Sequence, residues 1–167
     1  VVSTRGKTKE WEKSYSTMGD ALLADLPVAV LIDGMSASAS EIVSGTLQDL
    51  DRAIIVGQES YGKGLVQQSK QLAYGTKLKV TVAKYYTPSG RCIQRLDYGG
   101  NRREDGSAQA VADSLIEVFY TRNGRPVVDG KGVQPDVPTS LPPVGFVLEG
   151  LYESGVLFDF ANAWTAE

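Results

Sequence analysis

The sequence predicts an α/β domain, and three consecutive segments carry that expectation. Pro27-Val28-Ala29-Val30-Leu31-Ile32 is a short unbroken apolar run, the pattern of a strand covered on both faces in a parallel sheet. Ala39, Ile42, Val43, Leu47 and Leu50 then recur at helical spacing, which predicts a helix ending at about Asp49. Ala53-Ile54-Ile55-Val56-Gly57 reads as a second buried strand. Strand, helix and strand over so short a stretch form a βαβ unit, right-handed by the chirality rule for such crossovers.

The remaining elements follow in order. Glu10 to Thr17, after the turn at Gly6, mixes polar and aromatic residues like an exposed strand. Gly57 to Gly64 is a turn-rich loop, and Leu65 to Leu72 is expected as a strand. Lys77 to Tyr86 alternates, with Leu78, Val80, Val82 and Tyr86 on one face. Tyr86-Thr87-Pro88-Ser89-Gly90 is a turn. The expected organisation is a single unit of 167 residues. An active-site core covers 1–97, a mobile Gly-, Arg- and Asp-rich loop 98–109, strands and a short helix near Ala110 to Val118 within 110–138, and terminal helices 139–167. The apolar set Leu141, Val144, Val147, Leu148, Leu151 and then Val156 to Trp164 predicts those helices.

Composition narrows the chemistry. A hydrophobic fraction of 42% and a charged fraction of 22% are ordinary for a soluble globular protein. The net charge of −3, with no dense Lys/Arg run, argues against nucleic acid as a partner. Cys92 stands alone, so neither an internal disulfide nor a thiolate metal cluster can form. The absence of histidine excludes a Ser-His-Asp or Cys-His mechanism and histidine-ligated zinc within this chain. A general base here must be Lys, Asp, Glu, Tyr or a similar group. The opening Val1-Val2-Ser3-Thr4 reads as the end of a strand, so the expectation is of a fragment whose missing leader says nothing about location.

Two short segments carry candidate chemistry. Asp33-Gly34-Met35-Ser36-Ala37-Ser38-Ala39-Ser40-Glu41 joins a buried strand to a helix. The first-turn N–H groups there are unpaired and, with the helix dipole, can stabilise an oxyanion beside a serine hydroxyl. Ser38 and Glu41 equally satisfy a capping box, which needs no catalysis. Ser60-Tyr61-Gly62-Lys63-Gly64 places a lysine between two glycines, a backbone able to fold back into a site. To act as a base that lysine must lose its proton near pH 7 instead of about 10.4, at roughly 4 kcal/mol of native stability. An ordinary exposed turn lysine is the competing reading. Ser60-x-x-Lys63 also matches the S-x-x-K motif of penicillin-recognising enzymes, but that motif opens a helix, and Gly62 and Gly64 oppose one.

Taken together, Ser36-Ala37-Ser38-Ala39-Ser40-Glu41-Ile42, Gln48-Asp49, Gly57, Tyr61-Gly62-Lys63-Gly64 and Val66-Gln67 resemble the signature of the C-terminal processing peptidases, or tail-specific proteases. Ala83-Lys84-Tyr85-Tyr86-Thr87-Pro88-Ser89-Gly90-Arg91-Cys92-Ile93-Gln94 resembles the next block of that family, and Gly132-Val133-Gln134-Pro135-Asp136 its later G-x-x-P-D. The resemblance implies a crotonase-like α/β core and a serine endopeptidase with a Ser-Lys dyad. It makes Ser38 the nucleophile and Lys63, at the family's usual interval, the base. Gln67 would orient Lys63, the Ala39 amide would supply one oxyanion donor, and Asp49 would support the site. No cofactor or metal is implied. Partners would be protein substrates entering as extended segments near their C-termini, at an extracytoplasmic place such as the periplasm or a membrane surface, with peripheral membrane association of the full-length protein.

Elementary geometry qualifies two of those roles. In a straight strand, residues four apart lie roughly 13 Å from each other, so Gln67 needs a bend to reach Lys63. Asp49 lies about three helical turns, or roughly 16 Å, beyond Ser38, which suits support of the fold. Gly34-Met35 replaces the family's common pair of glycines. The family's upstream D-L-R-x-N-x-G-G block, source of a second oxyanion amide, and a gating PDZ domain are missing. Loss of one oxyanion donor costs about 10²–10³ in rate, so the fragment alone is expected to be poorly active or inactive. The rivals are a non-catalytic peptide-binding module of the same fold and an acyl-CoA-type relative, the latter opposed by the G-K-G and Y-T-P-S-G runs.

Overall fold

A computed structural model of the chain describes residues 1–22, 24–140 and 145–165. The βαβ unit is present as β3 (Ala29–Ile32), α1 (Ala39–Asp49) and β4 (Ile54–Gly57). β3 and β4 run parallel, with Ala29 opposite Ile54 and Ile32 opposite Gly57. β11 (Val137–Pro138) adds to the far side of β4, giving the order β11-β4-β3. Period-two alternation sends Val30, Ile32 and Ile55 to one face, where Ile32, Ile55, Ile93 and Val133 form the apolar core.

The opposite face departs from the sequence expectation of a strand covered on both sides. Leu31 is 79% exposed and Ile54 54% exposed, and β3 is an edge strand. The apolar run is real, yet no described element lies over its outward half.

A second, antiparallel sheet has the order β2-β1-β6-β5, built from β1 (Val2–Gly6), β2 (Lys13–Tyr15), β5 (Leu65–Gln71) and β6 (Lys77–Tyr86). The exposed strand expected after Gly6 is confined to β2, because Lys9–Trp11 first makes a 3-10 turn. Residues 98–109 are not an open loop. β7 (Leu96–Arg102) and β8 (Ala108–Ala110) pair as a hairpin, with Gly106 turning back onto Arg103 through a 2.9 Å backbone bond. Its strand is Gly- and Asp-rich and lacks the apolar alternation that signals pairing, so composition concealed it. The helix expected at Ala110 to Val118 shrinks to a 3-10 turn at Asp113–Leu115. It leads into the hairpin of β9 (Val118–Tyr120) and β10 (Pro126–Val128).

Two terminal helices are found, α2 (Phe146–Glu153) and α3 (Val156–Thr165), turning at Gly155, and neither contains a buried residue. Leu141 and Val144 of the predicted apolar set lie outside the described residues. Among the described residues, no helix is long and apolar enough to cross a membrane.

Polar anchors fix the C-terminal end of α1. Arg91 and Asp49 are both fully buried, with Nη2 and Oδ1 in contact at 2.9 Å at an angle too poor for a hydrogen bond. Arg91 Nη2 also donates to Gln48 Oε1 at 2.7 Å. Burial lowers the Arg91 pKa, against the opposing pull of Asp49. Gln48 Nε2 donates to Asp136 Oδ1 at 3.0 Å, and Asp136 Oδ2 accepts the Ile55 amide at 2.8 Å, so the P-D dipeptide locks the start of β4. Arg125 binds Asp136 and Asp51, the latter at 2.6 Å through Nε.

Two outcomes follow from this packing. Ile55→Ala, at a site with no solvent exposure, should cost about 2–5 kcal/mol in denaturant unfolding. Burial pushes the Asp51 carboxyl up, but hydrogen bonds from Arg125 and the Asn123 amide outweigh this and hold it below its ordinary 3.8. The Asp51 contribution to stability is therefore complete above the ordinary value and lost as pH falls through the depressed folded value. An Asp51→Asn variant should show a flatter stability profile below pH 4, read by unfolding across an acid series.

Candidate active site

The site begins at the sharp connection from β3 to α1. Asp33 Oδ1 accepts from the Met35 and Ser36 amides at 2.9 and 3.0 Å, an Asx-type turn that reverses the chain. Ser38 then occupies the N-cap of α1 with φ 56 and ψ −109. This is outside the left-handed helical well, a region that non-glycine residues occupy only under strain, of order 1–3 kcal/mol. The Ser38 side chain faces the Glu41 backbone N–H at the helix N-terminus, one half of a capping box whose other half is the Glu41 carboxylate on the Ser38 amide. The Ala39 amide, first in the helix, finds no acceptor among the described residues and so remains available to an anion.

Lys63 is brought to the same end of α1 by its flanking glycines. Gly62 has φ +86, and a Cβ there would stand 2.5 Å from Arg95 Cβ; one on Gly64 would stand 2.8 Å from the Gln94 nitrogen. That close approach is secured by Arg95 N–H donating to Gly62 O at 3.0 Å and Gly64 N–H donating to Gln94 Oε1 at 2.8 Å. The loop also meets the serine turn directly, since the Tyr61 amide donates to Ser36 O at 3.0 Å.

The stronger link is Glu41, which the sequence offered only as a capping partner. Its carboxylate is fully buried. Oε2 accepts the Ser38 and Lys63 amides, each at 2.8 Å, while Oε1 accepts Ser60 Oγ at 2.5 Å and the Gly62 amide at 2.6 Å. Because the first two bonds end on one oxygen, the backbone nitrogens of Ser38 and Lys63 lie within twice that distance of each other. Sequence spacing gave no signal for this role beyond the S-x-x-E pattern.

The side chains are less tightly joined than the backbones. Lys63 is exposed, and among the described residues no hydrogen bond connects it to Ser38 Oγ. Gln67 sits at a register shift in the β5–β6 pairing, between Val66 and Gln67, and its Nε2 lies 3.5 Å from Thr81 Oγ1. A bulge re-aims side chains, and Gln67 and Lys63 line one cleft of about 90 Å³ with Tyr61, Gln94 and Leu96. Leu65, Gln94, Leu96 and Tyr98 of this cleft also line a groove of about 790 Å³, together with Trp11. Cys92 also lines the groove, and burial pushes its thiol pKa up, toward the protonated and unreactive form. Asp49 stands at the other end of α1, bound to Arg91 and accepting the Ser89 amide at 3.0 Å. No cluster of three or more Asp, Glu, Cys or His side chains suited to a metal occurs among the described residues.

Strain at Ser38 has a measurable consequence. Ser38→Gly should be more stable than Ser38→Ala by about 1 kcal/mol, because glycine adopts this backbone without penalty. Chemical denaturation of the two variants decides it, and equal stability would show that the serine is not strained.

The family model described as Peptidase family S41 matches residues 1–102. The carboxy-terminal-processing protease of Bartonella bacilliformis is 48% identical over 94 residues, covering 56% of this chain and 22% of that protein. The carboxyl-terminal-processing protease of a Picosynechococcus species is 48% identical over 84 residues, covering 50% of this chain and 20% of that protein. The chain thus spans about a fifth of the length of these relatives. Among solved structures, a photosystem II D1 C-terminal processing protease superposes over 90% of this chain and 30% of its own, with a TM-score of 0.57 and 28% identity. With the match covering well over half its length, the chain belongs to peptidase family S41, the serine-type peptidases that include the C-terminal processing proteases.

Proposed function

We propose that this chain carries the catalytic dyad of a serine endopeptidase acting near the C-termini of protein substrates, within a crotonase-like core. The observation that supports this reading most is the strained Ser38 at the N-terminus of α1, with a free Ala39 amide beside it and the Lys63 backbone tied to the same carboxylate oxygen. Ser38 Oγ attacks the scissile carbonyl while unprotonated Lys63 takes its proton. The tetrahedral oxyanion forms against the Ala39 amide and the positive end of the helix. Collapse transfers the Lys63 proton to the leaving amine and leaves an acyl-enzyme, which water then hydrolyses by the same steps.

Gln67, on the wall shared with Lys63, orients its amine, and Asp49 supports the site from the far end of α1 through Arg91. An extended substrate has room in the groove beyond the cleft. The exposure of Lys63 means that desolvation must come from what covers the cleft, substrate or further parts of the protein. An extracytoplasmic place, with peripheral membrane association of the full-length protein, belongs to the same reading, as does the division at residues 97, 109 and 138.

The same exposure favours one alternative, a peptide-binding module that retains the fold without turnover. Peptide hydrolysis and labelling by a fluorophosphonate separate the two. The complete protein should be labelled at Ser38, and Ser38→Ala and Lys63→Ala should each lose about 10⁴-fold or more in kcat while remaining folded. Peptide binding with no cleavage and no labelling would establish the binding module instead.

A further inference from the structure

We infer that Glu41, acting with Ser60, is a positioning residue that holds Ser38 and Lys63 in register for the reaction, an inference that rests on the dyad reading above. A capping-box glutamate needs a single bond to the N-cap amide and ordinarily stands in solvent. Glu41 is fully buried and receives four hydrogen bonds, only one of which is the cap. The other three come from Ser60 Oγ and the Gly62 and Lys63 amides, all on the loop that delivers the lysine.

All four donors are neutral. A buried carboxylate surrounded by neutral donors carries a desolvation penalty that a packing or capping role does not require. What a carboxylate alone offers at this size is four acceptor sites and no donor, matched to four converging donors. A glutamine keeps one oxygen and turns an NH₂ toward donors whichever way it is placed: toward the Ser38 and Lys63 amides, or toward Gly62 N–H.

Ser60 extends the arrangement. Its Oγ donates to Glu41 and accepts the Val133 amide at 2.7 Å, so the Gly132-Val133 segment buttresses the carboxylate. The serine of the misleading S-x-x-K pattern thus has a role that is neither nucleophile nor cap. Since one Glu41 oxygen joins the amides of the nucleophile and the base, loosening either bond shifts one reacting group relative to the other.

The test uses the complete protein with Glu41→Gln, Ser60→Ala, Ser60→Thr and Ser38→Ala, measuring kcat and KM on a peptide, fluorophosphonate labelling of Ser38, and thermal melting. Glu41→Gln should remain folded, lose about a hundredfold in kcat with KM within about threefold, and lose labelling rate in parallel, as expected for a misplacement near 1 Å. Ser60→Ala should fall about tenfold in kcat, and Ser60→Thr, which keeps the hydroxyl, should recover most of that loss. A folded Glu41→Gln with wild-type kcat and labelling, beside an inactive Ser38→Ala, overturns the positioning role and leaves the dyad intact. If Glu41→Gln fails to fold, the Ser60 pair decides, and equal kcat for Ser60→Ala and Ser60→Thr overturns it. Activity surviving in Ser38→Ala overturns both.

Discussion

A single buried carboxylate organises this structure. Glu41 lies on the first turn of α1, and its four hydrogen bonds join three stretches of chain far apart in sequence: the strained serine turn, the glycine-flanked lysine loop and, through Ser60, the segment at Val133. Removing one donor leaves the others crowded on a charge that lacks solvent, so the three stretches keep their places together. The apolar core beside it, Ile32, Ile55, Ile93 and Val133 among the described residues, is small, and the backbone amide of Val133 is itself bound to Ser60 Oγ. Hydrophobic burial supplies cohesion here, while the polar network supplies position.

The opposite end of α1 repeats the principle with charges that are paired. Asp49 meets Arg91, Gln48 joins Arg91 to Asp136, and Asp136 accepts the first amide of the buried part of β4. The helix is therefore held at both ends by side chains whose partners come from later in the chain, and Ser38 inherits the rigidity of both anchors. The Arg91 Nε atom, buried with no hydrogen-bond partner among the described residues, shows that the fit at this end is incomplete. On the proposed reading of Ser38 as nucleophile, a helix fixed at both termini suits a reaction in which the oxyanion donors must not move as charge develops.

Local pattern made the βαβ unit legible, because an unbroken apolar run, a helical stripe and a second run are signals within a few residues of each other. Ser38 and Lys63 were legible as motifs, and their backbones do converge at one helix end. The route of that convergence was not legible. Glu41 in S-x-x-E looked sufficient as a cap, and nothing in its neighbourhood announces partners at Ser60, Gly62 and Lys63. Gln67 raised a geometric objection for a straight strand, and the strand is in fact interrupted by a register shift at that residue. The β7–β8 hairpin escaped notice because its strands lack alternating apolar residues, and the outward face of β3 was misjudged because an apolar run records composition, not what covers it.

That uncovered face bears on how the polypeptide behaves outside its full assembly. Parallel sheets are ordinarily sheathed on both sides, and among the described residues β3 is an edge strand with no neighbour beyond it, next to the exposed Leu31 and Ile54. Such a border is sticky: another extended chain can zip onto it, and the oily residues alongside give the union a reason to persist. Expressed on its own, the polypeptide carries the makings of its own precipitation in the same strand that leads to its serine. On the proposed reading of Ser38, solubility and chemistry meet at β3, because any cover over that border would also steady the turn on which Ser38 stands.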